Sequence, residues 1–244
     1  MLWLVPRPDG HSAPKRGSTR MFRVDWIEKY LSRVSPVYVV VVWVPIAAVF
    51  LWRAFRDPAL GAVRATLWVL GGLAFWTLLE YVLHRWVFHF EPDPASEPQK
   101  DLSFLIHGVH HDYPHDPDRL VMPPVVAVVL AFLVGAPLRL ALGAHAFPGF
   151  FAGLLAGYLW YDLTHYAVHH LKPRTALGEA QRRHHFLHHF KTPDRRYGVT
   201  TPLWDLVFGT MPRDDEGPRS RRSYLTSPRS RNQLADWRMP SASA

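Results

Sequence analysis

Four apolar runs alternate with polar, histidine-bearing segments along this chain. Residues 37–52, 65–83, 125–142 and 146–161 carry between them only two charged side chains, Glu80 and Arg139. A bilayer core takes about 20 apolar residues in helical form. These lengths therefore predict four membrane spans, the first slightly short and borrowing flanking residues. The link around Gly143–His145 is too short for a domain, as is the 53–64 link, so the spans should come as two helical hairpins. Gly71 and Gly72 in the second run suit close helix packing, as do Gly149, Gly153 and Gly157 at four-residue spacing in the fourth.

The polar segments divide the rest. Residues 1–35 read as a basic arm followed by a short interfacial helix over 21–34. Residues 36–210 read as one membrane domain, and 211–244 as a basic, disordered tail rich in Ser, Pro and Arg. With four spans, the arm, the 84–124 segment and everything after 171 share one side. They carry seven, three and fourteen Lys/Arg, against Arg53, Arg56, Arg64 and Arg139 opposite. The positive-inside rule makes the first side cytoplasmic. The chain reads as a multi-pass protein of a bacterial inner membrane, or of the endoplasmic reticulum in a eukaryote. A net charge of +8 raises the question of nucleic-acid binding. No stacking or groove-reading motif accompanies it, and basic flanks beside acidic lipids account for it, so no nucleic-acid partner is expected.

Histidine changes the picture most. The chain has 15 histidines and no cysteine, which excludes disulfides, thiolate zinc sites and cysteine-held iron–sulfur clusters. Fourteen of the histidines lie on the cytoplasmic side, and only His145 lies opposite. Ten fall in four clusters beside span ends: His84 and His89; His107, His110 and His111; His165 and His169; His185, His188 and His189. Imidazole is a common ligand for zinc, copper, iron and nickel. On a helix, His107 stands about 60° from His110 and about 40° from His111, while His110 and His111 diverge by about 100°. Such a triplet serves one ion or splits between two. Ten neutral donors exceed one ion's capacity, so two ions with about five ligands each are expected, with positions left for oxygen or water. His84 and His89 are about 140° apart on an ideal helix. Either the helix ends between them or they serve different ions.

Glu80, four residues before His84, and Asp162, three before His165, are the expected carboxylate partners of ligand N–H groups. Asp112 and Asp116 are caps or solvated charges as readily as partners. His170 and His184 adjoin the ligand candidates, either as histidines with no part in the site or as its outer members. His11, His115 and His145 are not expected to be ligands. Tyr81, Tyr158, Trp160 and Tyr161 read as interface aromatics rather than as an acyl channel.

The residues that carry a family resemblance can now be set out. They are Glu-Tyr-Val-Leu-His-Arg-Trp-Val-Phe-His at 80–89, His-Gly-Val-His-His-Asp-Tyr-Pro-His-Asp-Pro-Asp-Arg-Leu-Val-Met-Pro-Pro at 107–124, Gly-Tyr-Leu-Trp-Tyr-Asp-Leu-Thr-His-Tyr-Ala-Val-His-His at 157–170, His-Phe-Leu-His-His at 185–189, and Tyr-Gly-Val-Thr-Thr-Pro-Leu-Trp-Asp-Leu-Val-Phe-Gly-Thr at 197–210. Over roughly 75–210 the chain resembles the fatty acid hydroxylase/sterol desaturase superfamily, most closely its fatty acid 2-hydroxylases. The resemblance implies an all-α integral membrane protein of four spans in two hairpins, with a cytosolic helical cap over a dimetal site. The ten histidines would be its ligands and two iron ions its metals, with zinc a replacement in purified samples. The implied reaction inserts one atom of O2 at C2 of a fatty acyl chain, free or within a sphingolipid or other lipid. An unactivated C–H bond requires a redox metal, which zinc is not. Some relatives carry a cytochrome b5 domain with a His-Pro-Gly-Gly motif, which is absent here. Reducing equivalents are therefore expected from a separate donor, such as a cytochrome b5 or ferredoxin-type protein. A sterol or carotenoid hydroxylase or desaturase shares the histidine spacing. A non-catalytic metal-binding or transport protein is the other alternative, though transport predicts ionisable groups at mid-span, and the spans lack them.

Overall fold

The computed structural model describes residues 4–5, 15 and 17–212. Most of the arm, His11 included, and the expected disordered tail beyond Pro212 lie outside the described residues. The extended elements of the described chain are all helices. In order come α1 (Asp25–Tyr30), α2 (Pro36–Arg56) and α3 (Gly61–Val82), the last running on into a π-helical turn, Leu83–Phe88. Then follow α4 (Glu97–Ser103), a second π turn (Phe104–Gly108), α5 (Val109–Asp112), α6 (Pro124–His170), α7 (Ala176–Phe190) and α8 (Leu203–Val207). Among the described residues the only β pairing is an isolated bridge between Leu4 and Phe22.

Among the described residues, three helices are long and apolar enough to cross a membrane: Pro36–Arg56, Gly61–Phe88 and Pro124–His170. α2 starts where Ser35 accepts a hydrogen bond from the Val37 N–H and Pro36 fills the first turn. Its last turn carries Arg53 and Arg56, which complement the helix dipole. α6 is interrupted at Gly143, where φ is 74° and ψ −174°. A side chain rarely adopts that φ, so glycine permits the break. Gly135 and Phe151 lie on either side of it, and a Cβ on Gly135 would stand 3.0 Å from the Phe151 ring. Sixteen residues of straight helix would separate them by about 24 Å.

The outward faces are apolar, with Val63 75% and Leu140 85% exposed, as hydrocarbon rather than water requires. Inward, α3 and the second half of α6 meet backbone to backbone. A Cβ on Gly72 would overlap the Phe150 carbonyl, and one on Gly153 the Val69 carbonyl. Gly157 makes room for Trp76. α2 packs on the same half of α6 through Trp43 against Tyr158 and Phe50 against Phe151. The core gathers Trp43, Trp76, Phe151, Leu155, Tyr158 and Tyr161. Tyr81, Tyr158 and Tyr161 are therefore buried packing residues, not interface aromatics; only Trp160 is exposed. The three tyrosines face neighbouring helices, and a sequence run cannot distinguish that from facing headgroups.

Only residues 25–30 of the expected interfacial helix are helical. Its Glu28 is buried, accepting the Met21 and Phe22 N–H groups and pairing with Arg119. Arg119 also pairs with Asp116 at 3.5 Å and donates to Ser32 Oγ at 3.2 Å and to the Thr19 carbonyl. Asp116 is thus a buried ion-pair member rather than a solvated cap. This network ties the N-terminal segment to the loop after the histidine triplet.

Candidate metal centre

Each π turn precedes or contains ligand candidates, and local geometry explains why. A π turn closes i to i+5. The His89 N–H accordingly donates to the His84 carbonyl at 3.1 Å, and the two rings come within 5.0 Å of each other. The helix widens between these residues, which resolves the two alternatives left open by ideal-helix geometry: the pair stays on one face and in one cluster. The second π turn delivers His107 just ahead of α5, which carries His110 and His111.

The ten histidines gather into two groups of five that could each hold a metal ion. His84, His89, His107, His111 and His188 form one; His110, His165, His169, His185 and His189 form the other. Within each, the candidate ligand atoms all lie within 4.8 Å of one another. The division follows helical spacing. The i, i+4 pairs 107/111, 165/169 and 185/189 each share a group, whereas His110 and His188 cross to the opposite one. The rings of His111 and His189, one from each group, stack at 4.1 Å and join the two centres.

Most Nε2 atoms point at one another. In the first group His84 meets His107, and His188 meets His89, both at 3.1 Å. In the second, a continuous chain runs from His165 to His110 at 3.0 Å, to His189 at 2.9 Å, to His185 at 3.0 Å and to His169 at 2.9 Å. Hydrogen bonding does not account for this chain. A neutral imidazole nitrogen offers either one proton or one lone pair, yet His110, His189 and His185 each face two neighbours through Nε2. A shared cation does account for it. Nitrogens held about 2.1 Å from an ion, at right angles, stand about 3.0 Å apart. The donor set fits a first-row metal in each group.

Electrostatics favours neutral rings. Burial pushes His107, His110, His185, His188 and His189 well below the ordinary imidazole value, and repulsion from neighbouring imidazoles adds to it. The same causes lower His89 to about 2. A ring that resists protonation keeps its lone pair for a metal.

The surroundings of the two groups differ. His84 Nδ1 meets the Tyr197 carbonyl at 2.5 Å and His188 Nδ1 the Arg195 carbonyl at 2.7 Å. These contacts place the proton on Nδ1 and aim Nε2 inward. In the second group the Nδ1 atoms of His165, His169, His185 and His189 are buried without a hydrogen-bond partner among the described residues. Packing of α6 against α7 sets their orientation.

The two carboxylates do not bond to histidine as expected. Glu80 accepts from the Val199 and Thr200 N–H groups at 2.8 Å each and from Thr200 Oγ1 at 2.7 Å. Asp162 accepts from Tyr158 Oη at 2.9 Å and from the Met122 N–H at 3.2 Å. Both hold loops against the helices, and Glu80 reaches His84 only through the loop whose Tyr197 carbonyl meets that ring. Helical offset put each carboxylate near a ligand, but unpaired loop amides were nearer.

Asp205 is a buried residue that sequence reasoning passed over. It accepts from the Tyr197 N–H at 2.8 Å, the Gly198 N–H at 2.9 Å and Thr210 Oγ1 at 2.7 Å, with His184 Nε2 at 3.3 Å. Burial alone would raise its pKa, but these hydrogen bonds, with His184 foremost, hold it below the ordinary carboxylate value. Asp205 thereby fixes the backbone that presents the Tyr197 carbonyl. The available signal was a lone carboxylate amid Leu203, Trp204, Leu206, Val207 and Phe208.

Comparison with known proteins adds to this geometry. The fatty acid hydroxylase family matches over residues 69–210. A dihydroceramide fatty acyl 2-hydroxylase of Arabidopsis thaliana is 36% identical over 202 residues, covering 82% of each chain. A fatty acid 2-hydroxylase of Rattus norvegicus is 34% identical, over 82% of this chain and 58% of that one. A solved structure of full-length scs7p, with only its hydroxylase domain visible, superposes with a TM-score of 0.71 at 34% identity, covering 76% of this chain and 69% of that one.

Proposed function

The chain belongs to the fatty acid hydroxylase family, and from that premise we propose that it hydroxylates a fatty acyl chain at C2 with O2, using two metal ions held by the two five-histidine groups. The observation that carries the proposal is the gathering of ten mostly buried imidazoles into two fives beneath a helical cap. The named relatives, fatty acid and dihydroceramide fatty acyl 2-hydroxylases, support an acyl lipid, such as that of a sphingolipid, as substrate.

The metals proposed are iron, which supplies the activation of O2 that an unactivated C–H bond requires. The protein contributes the rest. The five neutral imidazoles of each group would hold one ion, and no carboxylate belongs to either group. The Tyr197 and Arg195 carbonyls hold His84 and His188 in the Nδ1–H tautomer. Burial of the rings excludes bulk water, which limits uncoupled side reactions. Glu80, Asp162 and Asp205 act at one remove, by fixing the loops that cover the rings.

The proposed setting is a membrane protein of four spans in two hairpins. At 47 residues, α6 would measure about 70 Å if straight, far beyond a hydrocarbon core of about 30 Å. The break at Gly143 and the approach of Gly135 to Phe151 support two antiparallel spans instead. The arginine and lysine distribution supports a cytoplasmic histidine face, where a separate electron donor would dock. The acyl substrate arrives laterally from the bilayer.

Expression in a host lacking the activity, followed by lipid mass spectrometry under 18O2, tests this reading. A 2-hydroxyacyl lipid carrying one labelled oxygen is the expected product. Unchanged acyl chains alongside an oxidised sterol or carotenoid would overturn it, as would the absence of any oxidised lipid when a reductant system is supplied.

A further inference from the structure

The face opposite the histidines holds charged side chains that the metal centre does not use. Between the end of α2 and the Gly143 break lies a cavity of about 250 Å3, lined by Trp52, Arg53, Arg56, Asp57, Ala144 and Pro148. Arg53 and Arg56 are i, i+3 neighbours on the last turn of α2, so their guanidinium groups stand on one side of it. Among the described residues neither has a carboxylate ion-pair partner. The one carboxylate in the lining, Asp57, is engaged elsewhere: its Oδ2 meets His145 Nδ1 at 2.6 Å and its Oδ1 accepts from the Ala59 N–H at 2.9 Å. That pair also ties the α2–α3 link to the start of the second half of α6. Two adjacent cations in a concavity repel unless an anion lies between them, and guanidinium groups match the oxygens of a phosphate in bidentate fashion. The 21 residues of α2 span about 31 Å, which puts its last turn at headgroup depth when its first turn lies at the other surface. Trp52 is 62% exposed beside the cavity, where an indole suits the boundary between glycerol and acyl chain.

We propose that this cavity is a binding site for the phosphate of an anionic phospholipid, in the leaflet opposite the chemistry, where it joins α2 to the turn at Gly143. The site goes beyond the hydroxylase reading and shares no residue with it. The occupant is a lipid rather than free phosphate because Leu51, Trp52 and Phe55, beside the two arginines on α2, are exposed apolar side chains that acyl chains would cover.

The test uses the full chain in nanodiscs containing equal phosphatidylglycerol and phosphatidylcholine, with retained lipid counted by native mass spectrometry. Retention of phosphatidylglycerol over phosphatidylcholine by about fivefold is expected, the discrimination of roughly one charge-assisted contact. R53Q and R56Q should bring the ratio near unity, R56K should keep most of it, and R64Q, outside the cavity, should leave it unchanged. Equal retention of the two lipids by the parent chain overturns the proposal, as does full retention by the double variant R53Q/R56Q. Loss of the bound phosphatidylglycerol to millimolar inorganic phosphate would make this a free-anion site and overturn the lipid assignment. Metal content, read on the same samples, stays constant throughout and separates this result from any failure of the metal-centre reading.

Discussion

Replacing His110 with alanine is expected to abolish hydroxylation, by more than about 100-fold, and to lower bound metal from two ions per chain toward one. The magnitude follows because loss of an outer partner alone costs 10- to 100-fold in affinity or activity, and a ligand acts more directly. His110 is the sharpest choice among the ten. Its Nε2 lies 3.0 Å from that of His165 and 2.9 Å from that of His189, so it sits inside the chain of facing nitrogens. Its helix neighbours His107 and His111 belong to the other group. The variant should therefore empty one site while leaving five donors for the other. His107→Ala is the reciprocal experiment. Metal analysis of purified protein together with product formation reads both, and full activity in either variant would remove that residue from the ligand set.

The second large effect concerns the scaffold. Gly72→Ala and Gly153→Ala should each destabilise the protein by more than about 3 kcal/mol, since the added carbon would overlap backbone carbonyls, which yield less readily than side chains. For a chain of this size that corresponds to a loss of about 6 °C or more in thermal midpoint. The adjacent Gly71→Ala serves as an internal comparison. A Cβ there meets only the Phe150 ring at 3.7 Å, ordinary contact, and the change should be mild. The contact between α3 and α6 aligns His84 with His165 and His169, so the severe variants should lose metal along with stability. Equal melting of Gly71→Ala and Gly72→Ala would show that the two helices do not meet backbone to backbone at Gly72.

The pattern along the chain was informative where chemistry is expensive to hide. Runs nearly free of charge stand out because a membrane tolerates few charges, and α2, α3 and α6 lie where those runs do. Histidine clusters stand out because packing has no need of imidazole at such offsets, and the fold brings all ten together. What sequence could not provide was local geometry that departs from the ideal helix. The five-residue interval from His84 to His89 looks divergent at 3.6 residues per turn and convergent in a π turn. The partners of Glu80 and Asp162 were equally hidden. The amides of Val199, Thr200 and Met122 come from remote segments, and same-helix offsets carry no information about them. Asp205 had a readable signal, a carboxylate in an apolar run, but its role depends on a loop that only the tertiary fold defines.

The split of the triplet is the most specific consequence. His107 and His111 fall in one group and His110 in the other, and likewise His188 separates from His185 and His189. One short helix thus contributes to both groups, and the rings of His111 and His189 stack at 4.1 Å where the groups meet.

X-ray diffraction at the iron absorption edge, on iron-loaded protein, tests the central claim most directly. Two anomalous peaks per chain are expected, one among His84, His89, His107, His111 and His188, the other among His110, His165, His169, His185 and His189. A single peak, or iron bound by Glu80, Asp162 or Asp205 in place of these imidazoles, would contradict the account.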